Sequence, residues 1–149
     1  MANNDKIESN LDVMMIAKYL FYNTNDMSNL KLQKLLFFAY KDYYQKNKLE
    51  LFDDNFQAWI YGPVLPNVYK NFYKILGDND FEKVNDYFNS RKKVKIFLDE
   101  ISQKYGNLDV FELVKKTHKE KSWINARKDL GPFESSTNIM NIKATIKFK

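Results

Sequence analysis

Apolar residues recur at helical spacing over most of this chain. Near its start, four of them stand three, four and seven positions apart, the spacing of one helical face. These are Val13, Ile16, Ala17 and Leu20. The pattern predicts a helix over about 10–22, with Ser9 or Asn10 as its N-cap and the polar run from Asn23 as its end.

The strongest helical pattern runs from the candidate N-cap Ser28 to about residue 46. Its wide apolar stripe is formed by Leu32, Leu35, Leu36, Ala39, Tyr40 and Tyr43. Phe37 and Phe38 extend the apolar surface beyond one face. A helix that is apolar on more than one face is buried, so this helix is predicted to be central and packed on two sides.

Extended structure is predicted only near 56–61, where a short aromatic-rich stretch is stopped by Gly62 and Pro63. Pro66 suits the first turn of a helix, and Gly77 is a natural end for it. Residues 78–89 are ambiguous, although their apolar positions allow a short helix.

The second half of the chain contains two more predicted helices. One runs from the N-cap Ser90 to Gly106, and the other starts at the N-cap Asp109 and ends before His118. The helical pattern then loosens over 119–135. In the last segment, 136–148, the isoleucines stand at helical spacing, so a capped helix is slightly favoured over a strand.

These elements predict a mainly α fold. We expect a single compact domain over 10–149, of about five to seven helices, with at most a short strand or hairpin near 56–61. A loose lead-in is expected over 1–9. No linker, repeat or low-complexity tract divides the chain.

Composition removes most enzyme chemistries. The 149 residues include no Cys and one His, which excludes thiolate nucleophiles, Cys-ligated zinc and sites with paired histidines. The four Gly leave no glycine-rich phosphate loop. We therefore expect no catalytic residue, no metal and no cofactor. Because no stretch has the 18 apolar residues of a membrane helix and the first ten residues are polar, a cytoplasmic protein without a membrane contact is expected.

The net charge of +5 leaves a nucleic-acid partner as an alternative. Basic residues cluster at 91–95 and 115–121, but Arg occurs only at positions 91 and 127. Lys is a flexible point charge, whereas bidentate reading of phosphates and bases favours Arg. A solvated face is therefore the favoured interpretation of these clusters, and nucleic acid a disfavoured partner.

Three features admit both a functional and a structural interpretation. His118 is the one side chain with an ordinary pKa near neutrality, so it could act as a base, but a structural His bonded to backbone is favoured. The carboxylate pairs, such as Asp53 with Asp54, are adjacent on one element and diverge, so solvated turns are favoured. The aromatic segment 56–64 is either an interface anchor or a core strand.

Three segments resemble one known family, the Panacea or SocA-like antitoxin domain, also described as phage-associated. They are KLQKLLFFAY at 31–40, AWIYGPVLPNVY at 58–69 and ELVKKTHKEKSW at 112–123. Phe37 stands where the family often has Tyr, and Lys121 and Ser122 precede Trp123 where Pro is frequent.

The resemblance implies an antitoxin that neutralises a cognate protein toxin, encoded by a neighbouring gene, through direct binding. Two alternatives stay open: a nucleic-acid-binding regulator of its own operon, and an adaptor that delivers a partner to a bacterial protease. Motif residues expected to contact the partner are Trp59, Tyr61, Val64, Tyr69, His118 and Trp123. Motif residues expected to form the fold are Lys31, Leu32, Gln33, Lys34, Leu35, Leu36, Gly62, Pro63 and Thr117. The partner surface could also lie outside the motifs, over 78–95 or 119–135.

Overall fold

Helices form most of the protein. The computed structural model describes residues 8–148, and the predicted lead-in over 1–9 lies almost entirely outside them. The described part contains α1 (Val13–Tyr22), α2 (Asn29–Asn47), α3 (Pro66–Lys70), α4 (Phe72–Gly77), α5 (Phe81–Asn89), α6 (Lys92–Tyr105), α7 (Val110–His118) and α8 (Lys121–Ala126). Two strands, β1 (Gln57–Trp59) and β2 (Gly62–Val64), pair as an antiparallel hairpin. The predicted mainly α single domain is confirmed, and within residues 8–148 no helix has the length and apolarity to cross a membrane.

Helix α2 is the centre of the molecule. It starts at Ser28, whose hydroxyl accepts a hydrogen bond from the Lys31 N–H, which satisfies one of the free donors of the first turn. Every side chain from Lys31 to Tyr40 is buried. Helices α1, α3, α6 and α7 and strand β2 all pack against α2. The prediction of a central helix packed on more than one side is confirmed.

Two predicted N-caps are wrong. Helix α1 is capped by Asp12, whose carboxylate accepts from the Met14 N–H at 2.9 Å, because Asn10 and Leu11 instead bond through their backbones to residues 50 and 51. Ser90 ends α5 rather than starting α6. The N-cap of α6 is Arg91, which donates to the Tyr87 carbonyl at 2.7 Å.

Residues 8–148 form eight α-helices where five to seven were expected. The helix predicted from Pro66 to Gly77 is divided at Asn71, whose φ of −100° and ψ of 12° leave the α-helical range. Helix α8 forms inside 119–135, where the apolar pattern had loosened.

The helix predicted over 136–148 is wrong. Ile139 forms an antiparallel bridge with Gln57 of β1, and the only helical turn in this segment of the described chain is a 3₁₀ turn at Lys143–Thr145. Met140 and Ile142 are buried. Pairing with β1 and burial of alternate side chains therefore decide the conformation, although the isoleucine spacing also fits a helix.

Candidate functional site

The hairpin turns sharply at Ile60 and Tyr61, between the paired residues Trp59 and Gly62. Gly62 has a φ of +109°, a region that residues with a Cβ rarely adopt. A Cβ at this position would lie 2.5 Å from Thr117 Oγ1 and 3.0 Å from Lys34 Cε. Glycine is therefore required both by the backbone angle and by close packing against α2 and α7.

Helix α2 contacts the hairpin and the residue that follows it through two buried polar side chains. Lys34 Nζ donates to the Pro63 carbonyl at 2.8 Å, and Gln33 Oε1 accepts from the Leu65 N–H at 2.8 Å. Both side chains are buried, and a buried polar group is costly unless it is hydrogen-bonded. These two contacts fix strand β2 on α2.

Helices α7 and α8 support the other half of the hairpin. His118 Nε2 lies 2.9 Å from the Ile60 carbonyl oxygen, and because a carbonyl only accepts, Nε2 carries the hydrogen. Trp123 Nε1 donates to the Trp59 carbonyl at 2.8 Å. The rings of His118 and Trp123 stack with centroids 4.2 Å apart.

Arg127 completes this support. Its buried guanidinium donates to the Ala58 carbonyl at 2.9 Å and to the carbonyls of Gly131 and Glu134. It thereby joins β1 to the loop that leads into the last extended segment. We call the five supporting side chains the hairpin clamp; they are Gln33, Lys34, His118, Trp123 and Arg127.

Burial lowers the pKa of two side chains of the hairpin clamp, Lys34 and His118. Loss of hydration lowers the pKa of Lys34 from its ordinary 10.5 to about 7, because the charged ammonium loses more hydration than the neutral amine. Burial also lowers the pKa of His118, the charges of Lys34 and Arg127 lower it further, and the bond to Ile60 opposes the change. His118 is therefore neutral at pH 7 with its Nε2–H committed to backbone.

A groove of about 670 Å³ lies over the outer face of the hairpin. We call it the hairpin groove. The residues that line it are Asn29, Leu30, Trp59, Ile60, Tyr61, Val64, Tyr69, Ser135, Ser136 and Thr137. The rings of Trp59 and Tyr69 meet edge to face at 5.0 Å. Tyr61 is 63% exposed and Tyr69 is 42% exposed, so large apolar area faces solvent.

The residues expected to contact a partner fall into two groups. Trp59, Tyr61, Val64 and Tyr69 line the hairpin groove. His118, the last residue of α7, and Trp123 belong to the hairpin clamp, so both are one layer removed from the groove.

The residues expected to form the fold are all buried. Leu32, Leu35 and Leu36 are core residues, and Gln33 and Lys34 belong to the hairpin clamp. The remaining four are also buried: Lys31, Gly62, Pro63 and Thr117.

Several residues of the site were not predicted from sequence. Arg127 carried no signal beyond being one of two arginines, because a buried guanidinium and a solvated one look the same in a loosely patterned segment. Ser135, Ser136 and Thr137 reach the hairpin groove through the fold alone, more than 70 positions after Trp59. Asn29 and Leu30 lie beside the KLQKLL motif and could have been included on that ground.

Two charged side chains outside the hairpin make contacts within the fold. Arg91 stacks over the Tyr87 ring at 4.0 Å, and Asp80 pairs with Lys18 Nζ at 2.5 Å. Within residues 8–148 no three His, Asp or Glu side chains are grouped so that they could hold a metal ion.

Comparison with known protein families identifies a match over most of the chain. The family model described as "Antitoxin SocA-like, Panacea domain" matches residues 32–124, a range that contains the clamp residues other than Arg127 and the hairpin itself. Neither the curated proteins nor the solved structures contain a significant match. Because the match covers more than half of the chain, this protein belongs to the SocA-like antitoxin family with a Panacea domain.

Proposed function

We propose that this protein is an antitoxin that neutralises a protein toxin by binding it directly through the hairpin groove. Membership of the SocA-like antitoxin family supports the class of function. The single observation that supports the location is the hairpin groove itself, where exposed aromatic side chains stand on a backbone that buried side chains hold in place.

The chemistry of the hairpin groove suits a protein partner. Tyrosine and tryptophan anchor protein interfaces because each buries a large apolar area and keeps one polar atom. Trp59, Tyr61 and Tyr69 supply three such rings in one depression. A volume of about 670 Å³ accepts a few side chains of a partner, and the interface would extend beyond it to reach the area typical of stable complexes.

The hairpin clamp supports this function indirectly. Rigid presentation lowers the conformational entropy that is lost on binding. Because Lys34, His118 and Trp123 each donate to a carbonyl of the hairpin, the turn that carries Tyr61 is ordered before a partner arrives. In this proposal His118 positions the turn and performs no proton transfer.

The experiment is co-expression with the product of the adjacent gene, which we propose to be the toxin. Growth rescue and co-purification are scored together. We expect the wild-type protein to give both. The double variant Y61A/Y69A should fold normally and lose both, because it removes exposed aromatic area from the hairpin groove.

The matched control is F111A/F133A, which removes two aromatic side chains that are also highly exposed but do not line the groove. It should rescue growth and co-purify like the wild type. Equal losses in both double variants would contradict the location of the site. Growth rescue without a complex would contradict direct binding and indicate repression or delivery to a protease.

A further inference from the structure

The small sheet at the groove has one edge that is open to pairing. The extended segment around Ile139 forms backbone hydrogen bonds along one side of β1. The Ala58 N–H donates to the Asn138 carbonyl and the Met140 N–H donates to the Phe56 carbonyl, both at 2.9 Å. These two bonds flank the bridged pair of Gln57 and Ile139. In that antiparallel arrangement the N–H and C=O of Ile139 point away from β1.

Backbone groups alternate in direction along an extended chain, so the N–H and C=O of Thr137 point the same way as those of Ile139. Within residues 8–148, the backbone N–H and C=O groups of Thr137 and Ile139 have no hydrogen-bond partner. Ile139 is 55% exposed, and Thr137 is exposed as well. Four backbone groups are therefore free to pair with another chain.

The opposite edge of the sheet is closed. Pro63 has no N–H, and its carbonyl is occupied by Lys34 Nζ. The next donor, the Leu65 N–H, is bound by Gln33. A further strand can therefore add only beside 137–139. This free edge also lacks the charged residues and prolines with which proteins commonly block exposed edges, since its sequence is Thr137, Asn138 and Ile139.

The free edge and the hairpin groove share one face of the sheet. The register that pairs Gln57 with Ile139 places Trp59 across from Thr137, and both line the groove. An added strand would therefore direct every second side chain to this face. None of the groove's lining residues in the described chain carries a charge at pH 7. Because a charge buried without a partner is costly, the side chains that an added strand directs into the groove should be uncharged.

From this geometry we infer that the partner binds by strand addition: an extended segment with uncharged apolar side chains at alternate positions pairs with the free edge at Thr137 and Ile139. The inference rests on the proposed function for its biological role and specifies the mode of contact at the same site. Backbone pairing supplies affinity, and the groove selects the alternate side chains.

The test does not require the toxin. The full chain is used to select binders from a random dodecapeptide library displayed on phage, and amide hydrogen exchange is measured with and without a selected peptide. We expect selected peptides to alternate aromatic or aliphatic residues with polar ones. The amides of Thr137 and Ile139 should exchange rapidly in the free protein and become protected in the complex, whereas those of Ala58 and Met140 are protected in both.

A pair of variants isolates the backbone contribution. I139P removes the outward N–H, which an edge strand tolerates, while I139T keeps the N–H and the β-branched shape. I139P should weaken peptide binding at least tenfold relative to I139T. If I139P fails to fold, the exchange measurement on the wild-type protein decides.

Three results would overturn the inference. They are an absence of enriched peptides, selected peptides that leave Thr137 and Ile139 unprotected, and equal affinity for I139P and I139T. Growth rescue by co-expression is independent of all three, so strand addition can fail while the proposed antitoxin function stands, and the reverse also holds.

Discussion

Gly62 lies where the hairpin packs against both α2 and α7. A Cβ at this position would collide with Thr117 Oγ1 and crowd the end of the Lys34 side chain, and the φ of +109° adds a penalty for any residue with a Cβ. Sequence alone predicts a turn here from the pair Gly62 and Pro63. It does not predict that the turn is packed against two helices.

Gly62→Ala should therefore lower the free energy of unfolding by about 2–4 kcal/mol, from backbone strain and overpacking together. Chemical denaturation measures the change. Gly77→Ala is the matched control, because nothing lies within 4 Å of a Cβ there and its stability should be unchanged or slightly higher. Similar losses in the two variants would show that the close approach at Gly62 is not what requires glycine.

Lys34 gives the protein a pH-dependent stability. Its pKa is about 7 in the folded chain against an ordinary 10.5, so between these values the unfolded chain binds a proton that the folded chain lacks. Raising the pH through this window favours the folded state. Stability should rise by about 2 kcal/mol from pH 7 to pH 9, and Lys34→Met should remove most of that rise.

Urea denaturation at several pH values from 7 to 9 tests this. His118 does not interfere, because its pKa is lowered from 6.5 and it stays neutral throughout. Burial raises the pKa of Tyr19, Tyr40 and Tyr105. These tyrosines therefore affect the free energy of unfolding only above pH 10, where they lower it as the pH rises. The exposed Lys115→Met should keep the wild-type slope. A flat wild-type profile would be inconsistent with a neutral Lys34.

At the scale of elements, the hairpin is held mainly by side chains from distant parts of the chain. Arg127 follows α8 and donates to Ala58 in β1, and its other bonds hold the carbonyls of Gly131 and Glu134. It therefore links the hairpin to the loop that leads into the extended segment with the free edge.

Arg127→Met should cost about 2–3 kcal/mol, because it leaves carbonyls that are buried or partly buried without donors. Lys128→Met, one position along and exposed, should cost little. Hydrogen exchange gives the location of the effect: the amides of Ala58 and Met140 should lose protection in the Arg127 variant, while those in the middle of α2 keep theirs. Uniform loss of protection across the molecule would contradict this linking role.

The elements that sequence predicts well are those whose own residues determine them. Helix α2 has a capping Ser28 and an apolar stripe through Leu32 and Leu35, so its conformation follows from local pattern and burial. The segment around Ile139 lacks this property, because its spacing slightly favours a helix, whereas contact with β1 makes it extended. The division at Asn71, whose side-chain amide donates to the Asn67 carbonyl at 2.7 Å, was not predicted from spacing either.

The same contrast applies to the site. Trp59, Tyr61, Val64 and Tyr69 could be predicted together because they lie within 12 positions and share one motif. The hairpin clamp could not, since its hydrogen bonds to residues 58–65 join positions 29 to 69 apart. Motif membership placed Trp123 and His118 among the expected partner contacts. The separate interpretation of His118 as a structural ring bonded to backbone agrees with its contact to the Ile60 carbonyl, whereas nothing in the sequence indicated the supporting position of Trp123.

For the whole molecule, the positive charge and the hairpin groove predict different responses to salt. The groove's lining in the described residues carries no charge, so a complex formed there should change its Kd by less than tenfold between 50 and 200 mM NaCl. Binding of nucleic acid through the lysine clusters would weaken by about 10³-fold or more over the same range, through release of counterions. Titration calorimetry with the adjacent gene product, and with duplex DNA, measures both.

Both tryptophans of the chain lie within this one unit, Trp59 in the hairpin groove and Trp123 beneath the turn. Indole emission therefore reports on the site alone. W59F and W123F separate a signal from the surface that meets a partner and a signal from the layer that supports it. The protein thus contains its own optical probe, and occupancy of the groove can be followed in real time without an attached dye.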